Sequence, residues 1–270
     1  MREIVAAESV TRLGDVDGKV LVAGSHGGVI AAWYGAKAGA HALVLNDAGI
    51  GKDRAGIAGL IYLEAIGMAA AAVDCMSARI GDGADMLARG VISHGNAYAS
   101  LCGVVAGQAC RDAAERMRTA SPPRSVPRPY AEGRWRVAGG PPEVWALDSV
   151  GKVEPADAGR ILVIGSHGAL HGGRRESALG LDAAAAVFND AGVGADRIGI
   201  SRLPVLAARG IPAAAVDCMS ARIGDGRSMW EAGLISYTNA VAAQMGVLRG
   251  ITVQAFVELI RADRPATSLQ

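Results

Sequence analysis

Short apolar runs alternate with amphipathic stretches along the chain, and the same alternation is written twice. Val20–Gly24 reads as a buried strand, Val29–Ala38 as a helix and Ala42–Asn46 as a second strand. Arg54–Ile66 is an amphipathic helix with Asp53 as its N-cap and Gly67 as its stop. Ala70–Asp74 is a third strand, Asp82-Gly-Ala-Asp85 predicts a capped short helix ending at Gly90, and Val91–Ser93 is a short fourth strand. Asn96 then caps a long helix predicted to run to Met117. On that helix Gly103-xxx-Gly107, matched by Gly246-xxx-Gly250 in the second half, points to close helix packing at a pseudo-twofold seam rather than to helix-on-sheet packing. The second half repeats the pattern, less clearly where Leu170–Leu181 stands in place of the first helix. Strands alternating with helices predict the α/β class, with mostly parallel sheets covered on both faces.

The duplication is explicit in the letters. Ala70–Gly83 reads AAAVDCMSARIGDG, and Ala213–Gly226 repeats all fourteen residues without a change. Around that block, Glu3–Val10 answers Glu143–Val150, Val20–Gly27 answers Ile161–Gly168, and Leu45–Gly51 answers Phe188–Gly194. Asp53-Arg54 answers Asp196-Arg197, and Ile92–Ala97 answers Ile235–Ala240. The chain therefore divides into a first repeat over 1–118, a linker over 119–142, a second repeat over 143–262 and a tail over 263–270. Six of the ten prolines fall within the linker, which shows no apolar period and reads as exposed chain, with Trp135 as the residue that pins it down. Each repeat is a Rossmann-like or flavodoxin-like half.

Composition narrows the partners. Net charge is +1, which argues against nucleic acid or a membrane surface held by bulk electrostatics. With 51% apolar residues but only two Phe, the core must be built from Ala, Val, Leu and Ile. The longest uncharged stretch, Val91–Cys110, is too polar for a membrane span, and residues 1–20 lack a signal-peptide core. Four cysteines without CxxC or metal-ligand spacing read as reduced thiols of a cytoplasmic protein. A small-molecule substrate is the expected partner, and a homo-oligomer is compatible with the sequence.

In an open α/β sheet ligands bind beyond the carboxyl ends of the strands, and in each repeat the distinctive polar residues fall there. After strand one come Ser25-His26-Gly27 and Ser166-His167-Gly168, glycine-rich loops whose backbone N–H groups are able to meet an anionic oxygen beside a histidine. The plain alternative is a helix-capping turn. After strand two come Asn46-Asp47 and Asn189-Asp190, for which turn-forming chemistry is an equally good explanation. After strand three come Asp74, Cys75, Ser77 and Arg79, and identically Asp217, Cys218, Ser220 and Arg222. There the thiols are candidate nucleophiles or bases whose acidity an arginine would raise, against the plain reading of a small buried residue. Ser77, Ser220, Arg79 and Arg222 would hold a carboxylate or amide, or else form a turn and an ion pair. Asp53 and Asp196 read as caps, and Arg54 and Arg197 as surface residues. Cys102 and Cys110 read as core; His94, replaced by Tyr237 in the other repeat, reads as structural, and the unmatched His41 and His171 stand outside the candidate set. No Walker A, GxGxxG or GxSxG pattern is present, and no HxxxH or HxH spacing supports a metal set such as His26 with Asp47 and Asp74. No cofactor and no metal are expected.

Two thiols, Cys75 and Cys218, each at a strand end of a duplicated half, form a layout similar to that of cofactor-independent amino-acid and hydantoin racemases of the aspartate/glutamate racemase superfamily. That resemblance implies two-base proton transfer by Cys75 and Cys218. The family's Cys-Asn-Thr is replaced here by Cys-Met-Ser in both copies. The expected function is acid/base chemistry on a small carboxylate- or amide-bearing metabolite: racemase, isomerase or lyase. The alternatives are an amide or cyclic-amide hydrolase and a non-catalytic ligand-binding or interaction protein.

Overall fold

The computed structural model describes residues 1–263. The first repeat runs β1 (Ile4–Ala7), β2 (Val20–His26), α1 (Val29–Lys37), β3 (Ala42–Asn46), α2 (Ala58–Glu64), β4 (Ala70–Val73), α3 (Gly83–Arg89), β5 (Ile92–Gly95), α4 (Ala97–Leu101) and α5 (Cys110–Met117). The second runs β6 (Arg134–Ala138), β7 (Val144–Leu147), β8 (Ile161–His167), β9 (Ala185–Asn189), α6 (Arg202–Ala207), β10 (Ala213–Val216), α7 (Gly226–Ala232), β11 (Ile235–Thr238), α8 (Ala240–Gln244) and α9 (Val253–Ala262). Two α/β halves of similar topology result. One sheet has the order β1-β2-β3-β4-β5, the other β11-β10-β9-β8-β7-β6. β1–β4 and β7–β10 are parallel, β5 and β11 close one edge of their sheets antiparallel, and β6 pairs antiparallel with β7 at the other edge of the second.

Burial follows from that topology. Every residue of β2, β3, β4 and of their counterparts is buried, because helices cover both faces of a parallel sheet. One face of the first sheet packs Val20, Val22, Val44 and Ala71 on α3 and α5, and the other packs Leu21, Leu43, Leu45 and Ala70 on α1 and α2. Alanines in the strands let the short helices lie close, as a chain with two Phe requires. The Asp82 carboxylate caps α3 through Asp85 N at 2.9 Å, and Asn96 caps α4 through Ala99 N at 3.0 Å, both as their sequence positions predict.

Four expectations are corrected. The long helix after Asn96 is two short ones, because Gly103 (φ +79°) and Gly107 (φ +89°) turn the chain between them; Gly246 and Gly250 do the same in the second half, so neither Gly-xxx-Gly pair packs a helix seam. Asp53 and Arg54 do not start a helix: both adopt positive φ, as do Asp196 and Arg197, and α2 begins only at Ala58. Within the stretch expected to be linker, Arg134–Ala138 forms β6 and adds an antiparallel edge to β7, so the second sheet has one strand more than the first. Where α1 would recur, residues 171–177 make only tight turns. The expected tail lies, from residue 264 onward, outside the described residues. No helix among the described residues is long and apolar enough to cross a membrane.

The two halves meet about a pseudo-twofold axis through the loops after β3 and β9. Each loop carries four consecutive residues at positive φ: Ala48, Gly49, Ile50 and Gly51, and likewise Ala191, Gly192, Val193 and Gly194. For a β-branched residue such as Ile50 (φ +63°) that conformation is costly and persists only when the surroundings impose it. The surroundings are the other half. A Cβ built on Gly49 would lie 2.8 Å from Gly192 Cα, and one on Gly192 would lie 2.9 Å from Gly49 Cα. Lys52 N donates to Cys218 O at 2.8 Å, and Ala195 N donates to Cys75 O at 2.7 Å. Ala48, Ile80, Ala169, Ala191 and Ile223 form a small apolar core belonging to both halves.

Candidate active site

The fourteen-residue repeat lies along this seam. Asp47 Oδ1 accepts N–H groups from Gly49 and Cys75, each at 3.0 Å, and Asp190 does the same for Gly192 and Cys218. Asp74 and Asp217 accept from Met76 N and Met219 N. Ser77 Oγ donates to Asp74 O and accepts from Val91 N; Ser220 repeats the arrangement with Asp217 O and Leu234 N. Arg79 is ion-paired to Asp85 at 2.9 Å, and Arg222 to Asp225 at 2.9 Å and to Asp53 of the other half at 3.1 Å. Asn46 and Asn189 are fully buried, accept from Ala48 N and Ala191 N, and donate to Ala78 O and Ala221 O. These ten residues were expected to act on or hold substrate; in the structure the polar atoms named here bond to the turn and the seam.

The thiols lie on the same seam. Cys75 and Cys218 are each 5% exposed, and each sulfur faces the glycine of the opposite loop. Burial first, then the neighbouring carboxylates of Asp47 and Asp74, or of Asp190 and Asp217, push both thiols up to about 12. An arginine was expected to lower them. Arg79 and Arg222 are turned to carboxylates instead, so these thiols stay protonated near neutral pH, the opposite of what a thiolate nucleophile needs. Asp47, Asp74 and Cys75, and their counterparts, are close enough to touch one ion, yet one oxygen of each carboxylate already accepts backbone N–H groups.

The glycine-rich loops after β2 and β8 serve a different place. Their expected oxyanion donors are committed: Gly27 N donates to Asn46 O at 2.6 Å and Gly168 N to Asn189 O at 2.8 Å. Glycine is needed at 27 because a Cβ would lie 2.5 Å from Gly56 O. Ser25 and Ser166 accept from Val10 N and Val150 N, which ties the ends of β1 and β7 to their neighbours. The histidines are what these loops present. His26 and His167 line a cavity of about 1110 Å³ between the halves, walled by residues 9–13 and α1 on one side and by residues 149–155 and 166–181 on the other.

Both rings have a defined state. His26 Nδ1 accepts from Gly28 N at 3.1 Å and His167 Nδ1 from Ala169 N at 3.3 Å. Burial lowers His26 to about 4 and His167 well below its ordinary value, with the neighbouring His171 and Arg202 adding to the latter effect. Both imidazoles are therefore neutral near pH 7, and with Nδ1 occupied as acceptor the ring proton sits on Nε2. Two N–H donors, one from each repeat, are thus held on a shared cleft. The end of the repeated block packs against the His26 ring, since a Cβ on Gly224 would lie 3.2 Å from His26 Cε1 across the halves.

Sequence reasoning passed over other cleft residues. His171 is buried, lies edge-on to His167 with ring centroids 5.6 Å apart, and leaves Nδ1 without a partner. Arg12, Lys37, Glu132 and Lys152 also line the cavity. Lys152 is the counterpart of Arg12 in the aligned segments, and that pairing was the available signal. His171 has no counterpart because it lies in the segment where the repeats diverge. Cys110 is core; Cys102 is half-buried at the end of α4. In comparisons with protein-family models, curated proteins and solved structures, nothing matches the chain.

Proposed function

We propose that the chain is a small-molecule enzyme of the acid/base type, an isomerase, racemase or lyase, acting on a carboxylate- or amide-bearing metabolite in the cleft between its halves. The observation that carries this reading is the pair of neutral imidazoles, His26 and His167, with Nδ1 fixed by the backbone and Nε2–H left as donor in a cavity large enough for a metabolite. A neutral imidazole donor in a low-dielectric site polarises a carbonyl or carboxylate without carrying a charge that must be desolvated. Polarisation of that kind stabilises the enolate formed when a proton passes from the adjacent carbon to a carboxylate of the cleft lining such as Glu132. Proton loss and return at that carbon are what racemases, isomerases and lyases have in common.

The test is proton exchange in deuterated water, followed by NMR over a panel of small hydroxy, keto and amino acids and their amides. Wild-type protein is expected to wash deuterium into the carbon next to the carbonyl of at least one member. His26→Ala and His167→Ala are each expected to slow this on the order of 10²-fold. Exchange that survives both substitutions, or its absence across the panel, would sink the reading. A product heavier by one water would point to the hydrolase instead.

A further inference from the structure

The cleft is built from two similar halves, but its charges are not similarly placed. Glu132, Glu154 and Glu176 line it, and each is committed: Glu132 accepts from Tyr34 and faces Lys152, Glu154 pairs with Arg134, and Glu176 pairs with Arg174. Glu8, at the end of the Arg12 segment, is gripped by Arg174. The aligned cations then differ. Lys152 has Glu132 at 3.9 Å, whereas Arg12, exposed on the cleft wall, forms no ion pair among the described residues.

Behind the opposite wall lies a second uncompensated cation. Arg202 is wholly buried, and its guanidinium is satisfied only by the carbonyls of Ala169, Ser177 and Ala178 and by the face of the Phe188 ring. Its Nη2 has no partner, and neither does Nδ1 of His171 on the cleft face of the same wall. A buried cation with no counter-ion is costly unless a negative charge comes to it. The first repeat has Gly59 at the aligned position, where α1 packs so tightly that a Cβ would lie 2.7 Å from Ala32 Cβ. Loss of that helix in the second repeat is what makes room for Arg202 and for the wall bearing His171 and Ser177.

We infer that this one corner of the cleft, between Arg12 and the His171–Ser177 wall with Arg202 behind it, receives an anionic group of the ligand, so that a ligand binds in one orientation despite the duplication. This rests on the cleft being the functional site and adds the class of ligand, a carboxylate or phosphate, and the end at which its charge lies. Arg12 supplies the direct charge-assisted hydrogen bond, and Arg202 acts through the wall as a fixed positive charge.

The test uses malonate, succinate and inorganic phosphate as probes and malonamide as their neutral match, read by thermal shift and titration calorimetry on the full chain. At least one anion is expected to raise Tm saturably while malonamide does not. Arg12→Gln, a surface change, is expected to weaken that anion roughly tenfold, and Lys152→Gln, which removes the same charge from the aligned position, less than about threefold. Arg202→Met, if it folds, is expected to weaken binding in the same direction as Arg12→Gln. No protection by any of the three anions would overturn the inference, as would equal losses in Arg12→Gln and Lys152→Gln, which would mark general electrostatics. Protection by malonamide equal to that by malonate would also overturn it, while leaving the cleft itself as the binding site. The deuterium-exchange experiment fails or succeeds independently of all these outcomes.

Discussion

The seam and the cleft are both made from duplicated motifs, yet they differ in what the two copies kept. Along the seam fourteen residues are identical, and nearly every polar group has an internal partner. Around the cleft the copies agree at Ser-His-Gly and then part: α1 faces a helix-free wall, Arg12 faces Lys152, and Gly59 answers Arg202. At the seam each copy touches the other's loop across a shared axis, so a change in one must suit both. A ligand without twofold symmetry sets no such condition, and it rewards divergence. Identity over the fourteen residues therefore marks the contact, and departure from identity marks the parts of the cleft wall that are free of it.

The largest effect is expected from Gly49→Ala. The new Cβ meets Gly192 Cα, and the residue sits at φ +73°, so overpacking and backbone strain combine to about 2–5 kcal/mol. Chemical denaturation should show that loss, and a cost below about 1 kcal/mol would mean the seam is loose. Next is the acid response of the cleft. Burial lowers His26 and His171 to about 4 and His167 well below its ordinary value, so on acidification the unfolded chain takes up protons first. Stability is present above pH 6.5 and is lost as pH falls from 6.5 towards 4, the share of His26 alone being about 3 kcal/mol. The raised carboxyls of Asp148 and Asp190, both shifted chiefly by burial, act in the opposite sense, their contribution being lost as pH rises through the raised value. A denaturation midpoint that stays flat over that window would contradict the buried, neutral histidines, and His26→Asn should shrink the drop.

Cys75→Ala and Cys218→Ala separate the two regions directly. Each removes one buried sulfur and should cost about 1 kcal/mol of stability, with turnover or ligand binding changed by no more than about twofold. Loss of turnover with an intact fold would return the two-thiol reading. Thiol labelling near pH 8 gives the same answer by another route: both cysteines, pushed up to about 12, should stay unlabelled in the folded protein.

The fold was legible because burial on both sheet faces writes continuous apolar runs such as Ala70–Val73, and because Asp82 and Asn96 are strong caps. The break between α4 and α5 was hidden, since Gly103 and Gly107 are read equally well as small packing residues until their positive φ is known. The site was half legible. The Ser-His loops stand at the strand ends that border the cavity, but Asp, Cys, Ser and Arg in the repeated block have the chemistry of a catalytic cluster and the geometry of a joint. Nothing in the letters says that Asp47 turns its oxygen to Cys75 N, or that Arg79 turns away from the thiol. His171 was invisible for a related reason: its value comes from a wall that exists only because a helix is missing.

The smallest effect tests whether surface charge holds the seam. Arg222 reaches Asp53 of the other half at 3.1 Å, and on the opposite side Arg89 reaches Asp196 at 2.6 Å. Both pairs cross the axis, but their members are 41–60% exposed, so solvent screens most of the attraction. Arg222→Met should cost about 0.5 kcal/mol in low salt and still less in high salt. The contrast with Gly49→Ala is then the measure of how the halves are joined: by close backbone approach, with ion pairs contributing little. If Arg222→Met instead separated the halves, recognition between them would be electrostatic. The identity of the fourteen residues would then reflect matched charges rather than matched shape.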